Sequence, residues 1–266
     1  MLTFDEYGAG SGTAATVRRA IATSSWLAAP VPTCPGWTVT DLVAHQGMVH
    51  RWATDTLRGI RSDPAGYERE GRQATDLLDW FDTGATALLD VLSKTPADWD
   101  GFFFLATAAH PRDGWARRQC HETTIHAVDA MSARLGRPPH VAEVWFGTDL
   151  AVDGIDELLT GFAPRPTSRL RSDIPFTLEL ETTDTGQAWT VFVSAEPPAV
   201  RGNSSEAPDA RWSGAARELY LAVWNRGGSF GAADGEGAGG IQIEVRSDAG
   251  ARARDLWADL FQVRWG

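Results

Sequence analysis

Arg117-Arg118-Gln119-Cys120-His121-Glu122-Thr123-Thr124-Ile125-His126-Ala127-Val128-Asp129 is the stretch on which the reading of this chain turns. Its histidines suggest the HExxH helix of zinc peptidases, but that pattern needs them four residues apart and His121 and His126 are five apart. At about 100° per residue they diverge by roughly 140° around a helix axis. Glu122 and His126 are four apart, offset by only about 40°, so they share one stripe. Asp129 falls three residues further along it. One helix therefore offers a carboxylate and an imidazole, with a second carboxylate one turn below. Gly136 followed by Pro138 is a stop signal, which predicts a helix over about Asp113 to Leu135.

A metal site needs a second helix, and the best one lies upstream. Pro35-Gly36 marks a turn, and Thr38 with Asp41 forms a capping box that starts a helix ending near Gly59. Leu42, His45, Val49 and Trp52 recur at helical spacing and define its apolar face. An imidazole on that face points into a bundle, where it needs a polar partner. Metal sites in helix bundles are built from such inward residues on facing helices. His45, Glu122 and His126 are thus the candidate ligands, and a His2Glu set with one open position is that of catalytic zinc. Spacing alone leaves two other readings open: His45 as a hydrogen-bonded core histidine, and Glu122–His126 as a surface pair. His50, His110, His121 and His140 lie off these stripes or in loops. Cys120 is also off the stripe, and Cys34 reads as structural.

Three further helices are predicted before residue 162: about Thr13 to Ala28, a long one from Tyr67 to Lys94, and Val141 to Phe162. The pattern then changes. Phe162 to Asp173 reads as a linker. Ile174 to Leu180 alternates as a strand should, a second strand holds Trp189, Phe192 and Val193, and Asp184-Thr185-Gly186 turns between them. A helix over Ser213 to Trp224, a strand over Ile241 to Val245 and a last helix over about Ala251 to Gln262 complete the chain. The expected fold class is α+β: an all-helical domain in residues 1–162 followed by a smaller α+β domain in 163–266. The glycine-rich stretch Gly227 to Gly240 lacks the GxxxxGK[ST] phosphate signature and reads as a surface loop.

Composition narrows the partners. A net charge of -11 argues against nucleic acid and against anionic membrane surfaces. No apolar run reaches the roughly 18 residues of a membrane helix, and Met1 to Gly12 lacks the charged and apolar regions of a signal peptide. Two cysteines without a CxxC do not make a disulfide framework, which predicts a reducing cytoplasm.

Two segments resemble the mycothiol-dependent maleylpyruvate isomerase family of the DinB-like superfamily. One is Pro32-Thr33-Cys34-Pro35-Gly36-Trp37-Thr38-Val39-Thr40-Asp41-Leu42-Val43-Ala44-His45, continuing to Val49-His50-Arg51-Trp52. The other is Trp115-Ala116-Arg117-Arg118 through His121-Glu122-Thr123-Thr124-Ile125-His126 to Asp129. The resemblance implies a DinB-like four-helix core with His45, Glu122 and His126 as ligands of a divalent metal, zinc by its donor set. A weaker likeness to the family's second domain runs from Trp212-Ser213-Gly214-Ala215-Ala216 to Leu221-Ala222-Val223-Trp224-Asn225-Arg226, and it makes Arg226 the candidate catalytic arginine. Arg51 and Arg118 are the next positive groups to consider.

The implied cosubstrate is mycothiol. A free thiol ionises near pH 8.5, whereas a metal-held thiol is a thiolate. Attack on an electrophilic small molecule followed by rotation and elimination gives cis–trans isomerisation, and retention of the adduct gives thiol transfer. A metal hydrolase that uses the open position for water, and a metal-stabilised binding or regulatory protein, are the alternatives that remain.

Overall fold

The computed structural model describes residues 2–21, 23–105, 110–201, 207–227 and 240–262. The chain divides into two compact units between Pro139 and His140.

The first unit is all helical: α1 Phe4–Ile21, α2 Val39–Leu57, α3 Pro64–Gln73, α4 Leu77–Lys94 and α5 Pro111–Leu135. α2 begins at the predicted capping box, where the Thr38 side chain accepts from Asp41 N and the Asp41 carboxylate accepts from Thr38 N. α5 ends on Gly136, whose φ of 68° is the left-handed cap that glycine adopts without a Cβ clash. α1 packs on α5, and α2 packs on α3, α4 and α5. The apolar layer between them includes Ile21, Leu42, Val43, Leu77, Phe81 and Ala130. The Trp80 ring lies so close to Gly47 on α2 and Gly71 on α3 that a Cβ at either would collide with it.

Two helix expectations need correcting. The long helix over Tyr67–Lys94 is in fact α3 and α4, because Asp76 turns its carboxylate onto Leu78 N and Asp79 N and caps a new helix. The first helix lies earlier than Thr13–Ala28, starting with Asp5 and Glu6 in its first turn, where carboxylates favour a helix N-terminus.

The second unit opens with a 3-10 turn over Val141–Glu143, so the helix expected from Val141 starts only with α6 Thr148–Asp156, which continues as a π-helical turn over Glu157–Phe162 and packs on α7 Ala216–Val223. These contacts group residues 140–162 with the sheet, so the division falls ahead of the 162/163 boundary expected from sequence. A five-stranded sheet follows, in the order β3-β2-β1-β4-β5. Its strands are β1 Phe176–Thr182, β2 Ala188–Val193, β3 Ala199–Arg201, β4 Ala210–Gly214 and β5 Gln242–Val245. β1 and β4 are parallel, and the other pairs are antiparallel. β3 and β4 were not expected. Ser213, read as a helix start, sits in β4 opposite Glu181 and Gln242, so α7 begins only at Ala216. The last helix is two short ones, α8 Asp248–Ala251 and α9 Ala253–Leu260. Most of the glycine-rich stretch Gly227–Gly240 lies outside the described residues.

Candidate metal centre

α5 is buried on nearly every side, charged and polar residues included. That leaves Glu122 and His126 no water to face, and the structure gives them each other: His126 Nε2 is 3.1 Å from Glu122 Oε1. His45, on α2, brings its Nε2 to 3.5 Å from the same oxygen. The three residues are 3%, 4% and 6% exposed in the order His45, Glu122, His126, and their donor atoms all lie within 4.8 Å of one another. Among the described residues this is the one such convergence. His45 Nε2 has no hydrogen-bond partner despite its burial. An unsatisfied buried nitrogen is costly, and a shared cation between it, Nε2 of His126 and Oε1 of Glu122 would satisfy all three. The residues therefore fit a divalent metal.

Neighbours fix the donor atoms. Asp129 Oδ2 is 2.9 Å from His126 Nδ1, which leaves Nε2 for the site, the usual carboxylate–histidine support of a metal ligand. Thr33 donates to Asp129 Oδ1 at 2.6 Å and pins the loop before α2 to α5. In that loop Gly36 has a φ of 88°, and Trp37, half-buried, lays its ring 5.0 Å from the His45 ring and 6.3 Å from that of His126. Arg118 Nη2 donates to Glu122 Oε2 at 2.9 Å.

These contacts set the charges. Burial pushes the Glu122 pKa up, but His126, His45 and Arg118 outweigh it and hold the carboxyl well below its usual range. Burial pulls His126 down, yet Glu122 and Asp129 carry it above an ordinary histidine. For His45 burial wins, and its pKa is lowered. Metal binding needs a neutral imidazole, so the lowering at His45 favours it and the raising at His126 opposes it.

The other sequence candidates scatter. His121 is buried edge-on to Tyr7, and His110 and His140 are exposed at the starts of helical turns. Cys120 is buried and Cys34 half-buried, and neither is in a disulfide. Arg51 stacks on Trp80 and donates to the carbonyls of Gly47 and Trp80. Arg226 lies in the turn after α7, in the second unit, where it donates to the Trp224 carbonyl.

Sequence reasoning missed one feature next to the centre. His50, set aside as off the stripe, is 2% exposed, and its Nε2 meets the Gln46 amide at 3.0 Å and the Thr123 hydroxyl at 3.3 Å. Gln46 at i−4 on the same helix was the available signal. Arg18 of α1 was also missed. It is fully buried, donates to the Leu42 carbonyl, lies 4.7 Å over the Phe81 ring, and has its pKa lowered by burial to about 9.

The comparisons with known proteins agree with this layout. Residues 9–131 match the family described as Mycothiol maleylpyruvate isomerase N-terminal domain, and residues 149–254 match the MDMPI C-terminal domain. In fold the chain is similar to the crystal structure of the mycothiol-dependent maleylpyruvate isomerase, at 14% identity and a TM-score of 0.57, over 85% of this chain and 90% of that one. A histidine-to-alanine variant of that enzyme matches with the same identity and coverage at a TM-score of 0.60. No curated protein matches the chain in sequence.

Proposed function

Because the chain belongs to the mycothiol maleylpyruvate isomerase family, and is an enzyme of that class, we propose that it carries one divalent metal, zinc, on His45, Glu122 and His126 in a DinB-like helical domain. The observation that carries this reading is the buried convergence of three donor atoms with His45 Nε2 left unsatisfied. Bound there, the metal would lower the pKa of a coordinated thiol, so that mycothiol is presented as a thiolate. The chain's own residues do the rest. His45 and His126 supply neutral nitrogens, Asp129 holds the His126 ring in place, and Trp37 packs against both imidazoles. Arg226, by its place in the C-terminal motif, is proposed as the positive group for an anionic electrophile, since a guanidinium suits a carboxylate. The two outcomes of thiol attack, isomerisation and transfer, share these parts. A thiol cosubstrate and two free cysteines favour a cytoplasmic, actinobacterial setting. No described helix is long and apolar enough to cross a membrane.

The test is elemental analysis of the purified chain, followed by assay with maleylpyruvate and with other electrophiles, each with and without mycothiol. About one divalent ion per chain and thiol-dependent consumption are expected. Full turnover without thiol would make the protein a hydrolase, and bound metal with no turnover on any electrophile would leave a binding role. Arg226→Ala is expected to keep its metal and lose about 10-fold or more in turnover, since charge-assisted contacts are worth about 1.5–3 kcal/mol. Full activity of that variant on the true substrate would remove Arg226 from the reaction.

A further inference from the structure

Each ligand on α5 has a second donor atom, and in both cases another side chain occupies it. Asp129 takes Nδ1 of His126. Arg118, only 1% exposed and one turn before Glu122, takes Oε2 of that carboxylate at 2.9 Å. Oε1 is left turned toward Nε2 of His126 and Nε2 of His45, at 3.1 and 3.5 Å. The two bonds differ in consequence. A histidine binds a metal through one nitrogen in any case, whereas a carboxylate can use one oxygen or two. With both oxygens it fills two coordination positions, which raises the coordination number while solvent stays bound and crowds the position that chemistry needs open.

We propose that Arg118 is a positioning residue that makes Glu122 a one-oxygen ligand, and so keeps a coordination position free for the thiol. The inference rests on the metal reading above. The bond is charge-assisted and buried, which makes it roughly twice as strong as a neutral one. Chelation would turn Oε2 toward the metal and weaken this bond at the centre of the bundle, where a poorly matched charged pair is costly. Arg118 therefore acts by geometry. Arg18 provides the contrast: it is a second fully buried cation whose charge is felt at Glu122 and Asp129, but its side chain hydrogen-bonds to the Leu42 carbonyl and to neither carboxylate.

Cobalt(II) in place of the native metal reports coordination number directly, because its visible absorption is strong in four-coordinate sites and weak in five- or six-coordinate ones. The wild-type chain loaded with cobalt alone is expected to absorb strongly. Arg118→Met is expected to absorb weakly, and its cobalt affinity by chelator competition to fall about 10-fold or more, the usual cost of losing a ligand's support. Arg118→Gln keeps an N–H donor for Oε2 without the charge and is expected to absorb at a level clearly between the two, which tests the proposal also where the methionine variant does not fold. Arg18→Met should match the wild-type spectrum. An unchanged spectrum in both Arg118 variants would overturn the proposal, as would an equal change in Arg18→Met, which would make the effect one of field. Failure of the wild-type chain to take up cobalt would remove the metal reading and this inference together.

Discussion

His126 and His50 are buried imidazoles on facing helices, and the residues they lean on, Glu122 and Thr123, are neighbours in the sequence. Their states are opposite. His126 stands between two carboxylates and has a raised pKa. His50 meets an amide and a hydroxyl, with no carboxylate in contact among the described residues. Burial, reinforced by the Arg18 and Arg51 charges, pushes it down to about 3. The same side chain is a candidate metal ligand in one setting and a neutral strut in the other. What decides is the counter-charge within hydrogen-bond reach, since a buried imidazolium without one pays its full desolvation cost.

The strongest break of this contrast removes one histidine or the other. His126→Ala is expected to weaken metal binding more than about 100-fold, beyond the 10–100-fold typical of outer-shell losses, whereas His50→Ala and His121→Ala keep the metal. Isothermal titration with zinc reads all three, and equal losses would refute the assignment of ligands. Asp129→Asn makes the His126 site more like that of His50. It should cut metal affinity by about 10–100-fold in the same titration, because the ring loses the partner that holds its Nδ1. An unchanged affinity would show that Glu122 alone holds the ring.

Acid stability sharpens the comparison from the other side. Below about pH 6.5 the unfolded chain protonates His50 while the folded chain, with its value near 3, does not. The stability this histidine contributes is therefore present above that pH and lost as pH falls toward 3, at up to about 1.4 kcal/mol per pH unit. In the metal-free protein His126 works in the opposite direction: its stabilisation is complete below the unfolded value and fades as pH rises through its raised folded value. Urea unfolding at several pH values should show a shallower acid slope in His50→Gln, and an identical slope would mean that other groups drive acid unfolding. The smallest effect is expected for Thr123→Val, which removes one hydroxyl contact to His50 and should cost about 1 kcal/mol in the same unfolding curves without altering metal affinity.

Much of the metal centre was legible in the sequence. The i,i+4 spacing of Glu122 and His126 and the apolar setting of His45 are local, periodic signals, and a helix turns such signals into a shared face. The capping box at Thr38 and the Gly136 stop were legible for the same reason, since each is settled by residues within one turn. Other features were beyond local reading. Asp76 competes for its own backbone and splits one long apolar period into α3 and α4. The strand at Ala210–Gly214 is too short to declare itself and forms because β1 and β5 lie on either side of it. Arg18 carries no pattern that distinguishes a buried charge from a solvated one, and the i,i+4 spacing of Gln46 and His50 pairs them without saying that the pair is buried. The sequence by itself determined the helical bundle and the mixed second unit, and it singled out the three candidate donors while leaving core and surface readings open, because periodicity and caps act within a turn. Only the tertiary structure decided that Nε2 of His45 on α2 meets Oε1 of Glu122, that Thr33 holds Asp129, and that His50 stays neutral beside them. Those outcomes depend on which charges burial brings within about 3 Å, a distance that linear spacing does not encode.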